Sequence, residues 1–210
     1  MKLYLHPFSP NCRHPLATAL HLGMDVETHV VDLLRGEARS PDYLAINPNG
    51  MVPALTDGDF RLFESNAICL YLARVSGKEH LVVPSDARRS ALHSQWLSWR
   101  TAHFSPCCSA LTWENFFKPL MRKEEPDSSK VEEATGSFWR FAAVLDNALT
   151  RGPYLLGDSL TIADFSLASP LMFAGPAKIP VEEFAHLRAW YDRVAASDAW
   201  ARTGPPPSAP

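Results

Sequence analysis

Leu3-Tyr4-Leu5-His6-Pro7-Phe8-Ser9-Pro10 opens the chain as a short apolar strand, a broken turn and a helix start. Ser9 stands as the N-cap, and Pro10 takes the first helical position, where its missing N–H costs nothing. Leu16, Ala19, Leu20 and Gly23 then share one helical face, and Gly23 is placed to stop the helix. Val26 to Val31 reads as a second strand. Strand, helix and strand in this order predict a parallel pair with a right-handed crossover.

Working outward, Asn47-Pro48-Asn49-Gly50 is a turn. Val52-Pro53-Ala54-Leu55 and Phe60 to Phe63 flank the Asp57-Gly58-Asp59 turn and predict an antiparallel hairpin. Ile68, Tyr71, Leu72 and Val75 then recur at helical spacing. The first domain is therefore β-α-β, a connector and β-β-α over residues 1–77, with Gly77 to Pro84 as linker. Beyond it there is no strand pattern. Leu92, Trp96, Trp99 and His103 form one helical stripe, which Pro106 should kink or end. Ala134, Phe138, Phe141 and Leu145 form another, and Phe184, Leu187, Tyr191 and Val194 a third. Residues 85–203 are read as an all-helical second domain, and 204–210, rich in proline, as a disordered tail.

Composition excludes several classes. The 210 residues carry a formal net charge of −3 and no basic run that could track a polyanion, so no nucleic-acid partner is expected. No apolar stretch is long enough to span a bilayer, and His6 and Pro7 interrupt the apolar start, so neither a membrane span nor a signal peptide is expected. Cys12, Cys69, Cys107 and Cys108 lack zinc-ligand spacing, and the eight histidines are scattered. No metal is expected, and the cysteine usage points to a reducing cytoplasm.

Four motifs come in a telling order: His6-Pro7-Phe8-Ser9-Pro10-Asn11-Cys12-Arg13, Asn47-Pro48-Asn49-Gly50-Met51-Val52-Pro53, Glu64-Ser65-Asn66 and Thr161-Ile162-Ala163-Asp164. With the order of elements, they resemble the cytosolic glutathione transferases with a serine active site, phi- or theta-like and bacterial-type. The resemblance covers nearly the whole chain. It implies a thioredoxin-like α/β N-terminal domain that binds glutathione and an all-α C-terminal domain that carries an electrophile pocket. It also implies a cytoplasmic homodimer, built from the first domain of one chain and the helical domain of the other, with Met51 as a candidate contact.

The resemblance assigns roles residue by residue. Ser9 would donate a hydrogen bond to the glutathione sulfur and favour thiolate, the nucleophilic form, over thiol. Pro53 would be cis, leaving the backbone of Val52 to pair with the cysteinyl part of glutathione as an added strand. The helix start at Ser65 would take the γ-glutamyl carboxylate, and Glu64 the ammonium group beside it. Arg39, with Arg35 second, would hold the glycyl carboxylate. Phe8, Trp113, Phe116 and Phe117 are candidates for the walls of the electrophile pocket. Thr161 and Asp164 would form a structural capping box, with Leu160 and Phe165 at the staple positions.

Each motif also has a plain structural reading. Ser9 can serve as a simple helix cap, Glu64-Ser65 as a cap with an acidic neighbour, Arg39 as a solvated loop residue, and the aromatic residues as packing between helices. Two other functions stay open on the sequence. Ser9-Pro10-Asn11-Cys12 looks like a C-P-x-C redox motif that has lost its attacking cysteine, which leaves Cys12 for a thiol oxidoreductase or, with Arg13, a partial match to the zeta-class isomerases. A non-catalytic binding scaffold is the other, since fold does not fix function.

Overall fold

The computed structural model describes residues 1–205, so the tail expected at 204–210 lies mostly outside the described residues. The chain divides into two compact units, Met1–Val83 with the segment from Ser197 onward, and Pro84–Ala196.

The first unit runs β1 (Lys2–Leu5), α1 (Pro10–His21), β2 (Glu27–Val30), α2 (Pro41–Leu44), β3 (Ala54–Asp57), β4 (Phe60–Phe63) and α3 (Ser65–Val75). The sheet order is β2-β1-β3-β4, with β1 and β2 parallel and the other pairs antiparallel. Both the parallel pair and the hairpin expected from the sequence are present. α1 ends at His21, and Gly23 follows at φ +67°, the left-handed conformation that favours glycine. Alternation along the strands sorts the core into two layers. Leu3, Leu5 and Leu55 pack with Cys12, Ala19, Ile68 and Leu72. Ala54 packs with Val31, Ala38 and Tyr43, and half-buried Tyr4 joins them. Val75, expected on the buried stripe of α3, is exposed.

The second unit is helical: α4 (Ala87–Trp99), α5 (Ser105–Thr112), α6 (Lys118–Arg122), α7 (Ser128–Ala148), α8 (Ile162–Ala168) and α9 (Ala185–Ala195). Two π-turns, Arg100–Phe104 and Trp113–Phe117, join α4 to α5 and α5 to α6. Pro106 therefore neither ends the helix nor breaks it. It has no N–H for the ladder, and a widened turn just before it absorbs the defect. The first helical stripe is corrected. Leu92 and His103 are exposed, whereas His93, Trp96, Leu97, Arg100 and Phe104 are buried. The buried face keeps ordinary helical spacing but is phased on His93 and Leu97, one position on from the expected Leu92 and Trp96. The α7 stripe is present, with Ala134, Phe138 and Leu145 buried and Phe141 half-buried.

The second correction concerns the boundary. The sequence reading placed residues up to 203 in the helical domain. The structure folds α10 (Asp198–Ala201) back into the first unit, against α1. The Arg13 guanidinium lies 3.9 Å over the Trp200 ring and donates to Trp200 O at 3.1 Å. Trp200 is fully buried, and this aromatic burial decides which unit the segment joins.

Candidate active site

Sheet register gathers the site. Tyr4 pairs with Ala54, and Ala54 with Phe63. Because β3 runs against both β1 and β4, the end of β1, the start of β3 and the end of β4 share one edge of the sheet. Parallel β2 ends there too, with Val30 beside Leu5. The segments that leave or enter at this edge are His6–Ser9, Val52-Pro53, Glu64-Ser65 and the connector that carries Arg39. Residues distant in sequence are thus set along one rim by backbone pairing alone. α1 and α3 both begin at this edge, and neither has an acidic residue in its first turn. Their unpaired N–H groups leave positive potential for anionic groups.

Ser9 is half-buried, in extended backbone at φ −96°, ψ 113°. Its carbonyl accepts from Cys12 N–H at 2.9 Å, and its N–H donates to His6 O at 2.9 Å. The side chain makes no cap hydrogen bond, so the expected hydroxyl cap is corrected: Ser9 caps through its backbone only. Cys12 lies one turn on and is 2 % exposed. Its sulfur accepts from His6 N–H at 3.4 Å. Burial pushes the Cys12 thiol up to about 11, against smaller opposing effects from Ser9 and the His6 N–H. A buried neutral thiol is a poor attacking group, which removes the physical basis for the oxidoreductase alternative. Burial also lowers His6, outweighing Asp32, and His6 Nδ1 accepts from Phe8 N–H at 3.4 Å.

The Val52-Pro53 bond is cis. The loop before it is held from below. Tyr43 Oη and Asn47 Nδ2 each donate to Met51 O at 2.7 Å, and Gly50 N–H closes the turn onto Asn47 O at 2.9 Å. Gly50 sits at φ +60°, and a Cβ there would come within 2.8 Å of Ala38 O. Only glycine fits that approach. Arg39 Nη1 reaches Asn49 O at 3.4 Å along the same loop. Arg35 has a side chain 89 % exposed, 3.6 Å from Asp32. The structure therefore sets Arg39, and not Arg35, beside the Val52 loop.

Sequence reasoning missed the supports of this loop. Glu37 accepts from Asp32 N–H at 2.6 Å and pairs with His29 Nε2 at 2.7 Å, which fixes the connector to β2. The Asp32 N–H, then the histidine, hold the Glu37 carboxyl below its usual range. Tyr43 and Asn47 are buried. Their only sequence signal was the Asn-Pro-Asn-Gly turn.

Glu64 stands between β4 and α3 at φ 71°, ψ 112°. A non-glycine residue there stores on the order of 1–3 kcal/mol of strain. Its carbonyl still accepts from Ile68 N–H at 2.9 Å, so the helix starts correctly behind a kinked entry. Ser65 is buried at the first helical position, and exposed Glu64 stands beside it.

The four aromatic candidates divide between the units. Phe8 is half-buried in the first, its ring 5.8 Å from that of His6. In the second, Phe116 and Phe117 pack against Phe173, at 5.4 and 5.1 Å between ring centroids. Trp113 faces a different space, a cavity of about 570 Å³ lined also by His103, Cys107, Glu114, Lys130 and Phe141. The Arg122 guanidinium lies 5.0 Å from the Trp113 ring.

Thr161 and Asp164 close as a capping box. The structure adds two donors the sequence did not reveal. Thr161 N–H and Oγ1 donate to Asp164 Oδ2, while Leu155 N–H and Trp190 Nε1 donate to Oδ1, all at 2.8–2.9 Å. Burial raises the Asp164 carboxyl against these four donors. Four donors fill the acceptor sites of a carboxylate and oversubscribe a protonated carboxyl. Leu160 and Phe165, at the staple positions, are both buried. Among the described residues no cluster of three or more metal-ligating side chains occurs, and no helix is long and apolar enough to cross a membrane.

Known proteins place this arrangement. Residues 1–74 match the glutathione S-transferase N-terminal domain, and residues 129–193 the glutathione S-transferase C-terminal domain. The chain is 36 % identical to glutathione S-transferase 3 of Zea mays, covering 99 % of this chain and 97 % of the maize protein. It is 33 % identical to a probable glutathione S-transferase of Oryza sativa subsp. japonica, over 91 % and 89 % of the two chains. The fold superposes on glutathione S-transferase I from mais in complex with an atrazine glutathione conjugate, with a TM-score of 0.89 and 29 % identity over 99 % of each chain. The chain belongs to the glutathione S-transferases. It is a glutathione transferase with a thioredoxin-like first domain and a helical second, and glutathione is its cosubstrate.

Proposed function

We propose that this transferase is of the serine type, with Ser9 donating its hydroxyl proton to the glutathione sulfur. The observation that carries the reading is the shared rim: register brings the Ser9 turn, the Val52 loop and the Glu64-Ser65 helix start to one sheet edge, and the Ser9 side chain is not used as a cap. A donor at the sulfur lowers the thiol pKa, and the N-terminus of α1 adds favourable potential. The thiolate then attacks a small apolar electrophile. Ser9 itself forms no covalent bond.

Each part of glutathione has a counterpart on the rim. The Val52 backbone pairs with the cysteinyl unit, Ser65 and the α3 N–H groups take the γ-glutamyl carboxylate, Glu64 takes the ammonium, and Arg39 takes the glycyl carboxylate. The kinked entry at Glu64 supports this, since strain of that kind gathers at ligand-holding positions. Phe8, on the first unit, is proposed to face the electrophile; in the second unit Phe116 and Phe117 pack against Phe173 and Trp113 lines a separate cavity, which favours the packing reading for these three. The plant relatives favour the phi pattern over a bacterial-type one.

A cytoplasmic homodimer completes the reading. All four cysteines are free and buried, as suits a reducing compartment. Met51 is 63 % exposed, and Phe60 and Phe63 are exposed on edge strand β4, so the first unit offers an uncovered apolar surface. Light scattering at micromolar concentration should give the mass of two chains, and a monomer mass would overturn the dimer. The serine role is tested by titrating the ultraviolet absorbance of bound glutathione thiolate in wild type and Ser9→Ala. Identical curves would remove Ser9 from the mechanism.

A further inference from the structure

We propose that Arg13 is a positioning residue for the thiol-activating serine: its guanidinium clasps the C-terminal segment, which fixes the first turn of α1 and so holds the Ser9 hydroxyl at the glutathione sulfur. The inference rests on the reading of Ser9 as the donor and gives the returning C-terminal segment a part in the reaction.

Arg13 is fastened at both ends. Its backbone N–H reaches Ser9 O at 3.3 Å, beside the 2.9 Å bond from Cys12 N–H, so the serine carbonyl is anchored in the first turn of α1. Its guanidinium lies 3.9 Å from the centre of the Trp200 ring, while Nη2 donates to Trp200 O at 3.1 Å and Nε to Thr203 Oγ1 at 3.4 Å. Thr203 closes the clasp from its own side: its N–H and its hydroxyl both donate to Trp200 O, at 3.1 and 2.9 Å. Trp200 is 1 % exposed and Thr203 7 %, so little water competes for these bonds. A cation at the fourth position of α1 opposes the helix dipole, so the helix alone gives no reason for an arginine there. A planar guanidinium that stacks on a ring and donates through two nitrogens does give one. Ser9 makes no side-chain cap bond, so the placing of its backbone sets where its hydroxyl stands.

Arg13→Ala opens the clasp and leaves Ser9 in place. Its KM for glutathione should stay within about twofold, since the tripeptide contacts are untouched. The bound thiol should rise by about half a pKa unit, which cuts kcat about threefold on the acid side of the profile and leaves it unchanged at high pH. Arg13→Lys keeps the charge but loses the planar fork, and should behave like Arg13→Ala. Trp200→Phe keeps a ring face under the guanidinium and should keep the wild-type profile. Weaker packing alone would lower the melting temperature without moving the pH profile. In the Ser9→Ala background, Arg13→Ala should cause no further pKa shift, because the group it positions is gone.

Ser9→Ala measured alone separates the two readings. If it shifts the bound thiol and Arg13→Ala does not, the positioning role falls and the serine role stands. If Arg13→Ala shifts it but Arg13→Lys keeps the wild-type profile, the charge acts and not the clasp, and the positioning role falls again. If Ser9→Ala shifts nothing, both fall. Should Arg13→Ala fail to fold, Thr203→Val, which keeps the volume and removes the hydroxyl, decides the matter. The Cys12 and Arg13 amides should then exchange hydrogen about threefold faster than in wild type, with α3 unaffected, and the bound thiol should rise with them. Unchanged exchange, or an unmoved thiol, overturns the proposal.

Discussion

Ser9 and Thr161 each stand in extended backbone at the start of a helix, and the two hydroxyls meet opposite fates. Thr161, at φ −126° and ψ 174°, gives its N–H and its hydroxyl to Asp164, whose other oxygen is filled by Leu155 and Trp190. Ser9, at φ −96° and ψ 113°, leaves its side chain out of the cap. Thr161 is 3 % exposed and Asp164 fully buried, whereas Ser9 is half-buried at the sheet rim. The closed cap commits every polar atom to the fold. The open one lets backbone atoms start the helix and leaves the hydroxyl available for the proposed bond to the glutathione sulfur. A cap signature in sequence says where a helix starts, and only its hydrogen bonds say whether it also acts.

The sharpest way to break this comparison is Asp164→Ala. It orphans four buried donors at once, and breaking a buried charged network costs about 3–5 kcal/mol. Soluble yield and melting temperature should drop steeply, while turnover per folded molecule stays near wild type. Native melting with lost turnover would mean that the closed cap has been misread as structural.

Ser9→Ala should do the reverse. It removes no cap bond, so thermal unfolding should match wild type within a degree or two. A hydrogen bond to a charged group is worth roughly 1.5–3 kcal/mol, so the bound thiol should rise by about 1–2 pKa units. Steady-state rates should recover as pH rises and glutathione ionises unaided. A large loss of stability would show that Ser9 is a cap after all.

A third test extends the contrast to titration. His93, in α4, is 2 % exposed, and burial pushes it down to about 4. In the unfolded chain it titrates near 6.5. Between these values the unfolded state holds a proton that the native state lacks, so stability rises with pH across the window and is lost as pH falls from about 6.5 toward 4, by about 1.4 kcal/mol per pH unit at most. Denaturant midpoints should fall over that range in wild type and fall less in His93→Gln. Equal slopes would discount the histidine.

The smallest effect expected is at the connector. Arg39→Ala should raise KM for glutathione roughly fivefold, the worth of about 1 kcal/mol from one exposed charged contact, and Arg35→Ala should leave it unchanged. Equal responses would sever Arg39 from the Val52 loop.

Much of the first unit was legible in the sequence because its signals are local. Ser9-Pro10 and Gly23 bracket α1, Asp57-Gly58-Asp59 folds the hairpin, and Asn47-Pro48-Asn49-Gly50 marks the loop before Val52. What stayed hidden depends on neighbours brought from elsewhere. Glu37 and Tyr43 carry no motif; they matter because His29 and Met51 arrive beside them. The α4 stripe was misphased by one position because the buried face is set by what packs on it, which puts His93 and Arg100 inside and Leu92 outside. Trp190 carries no motif either; its indole N–H matters because Asp164 arrives beside it.

The sequence by itself determined the order of elements and the two-part organisation, and it named the candidates for glutathione binding, because caps, turns and periodicity are written in residues a few positions apart. Only the tertiary structure decided that Ser9 is an open cap and Thr161 a closed one, that the chain returns through Trp200 to the first unit, and that Cys12 is a buried thiol in the first turn of α1. Each of these turns on desolvation and on hydrogen-bond partners from other segments, and those exist only once the chain has folded.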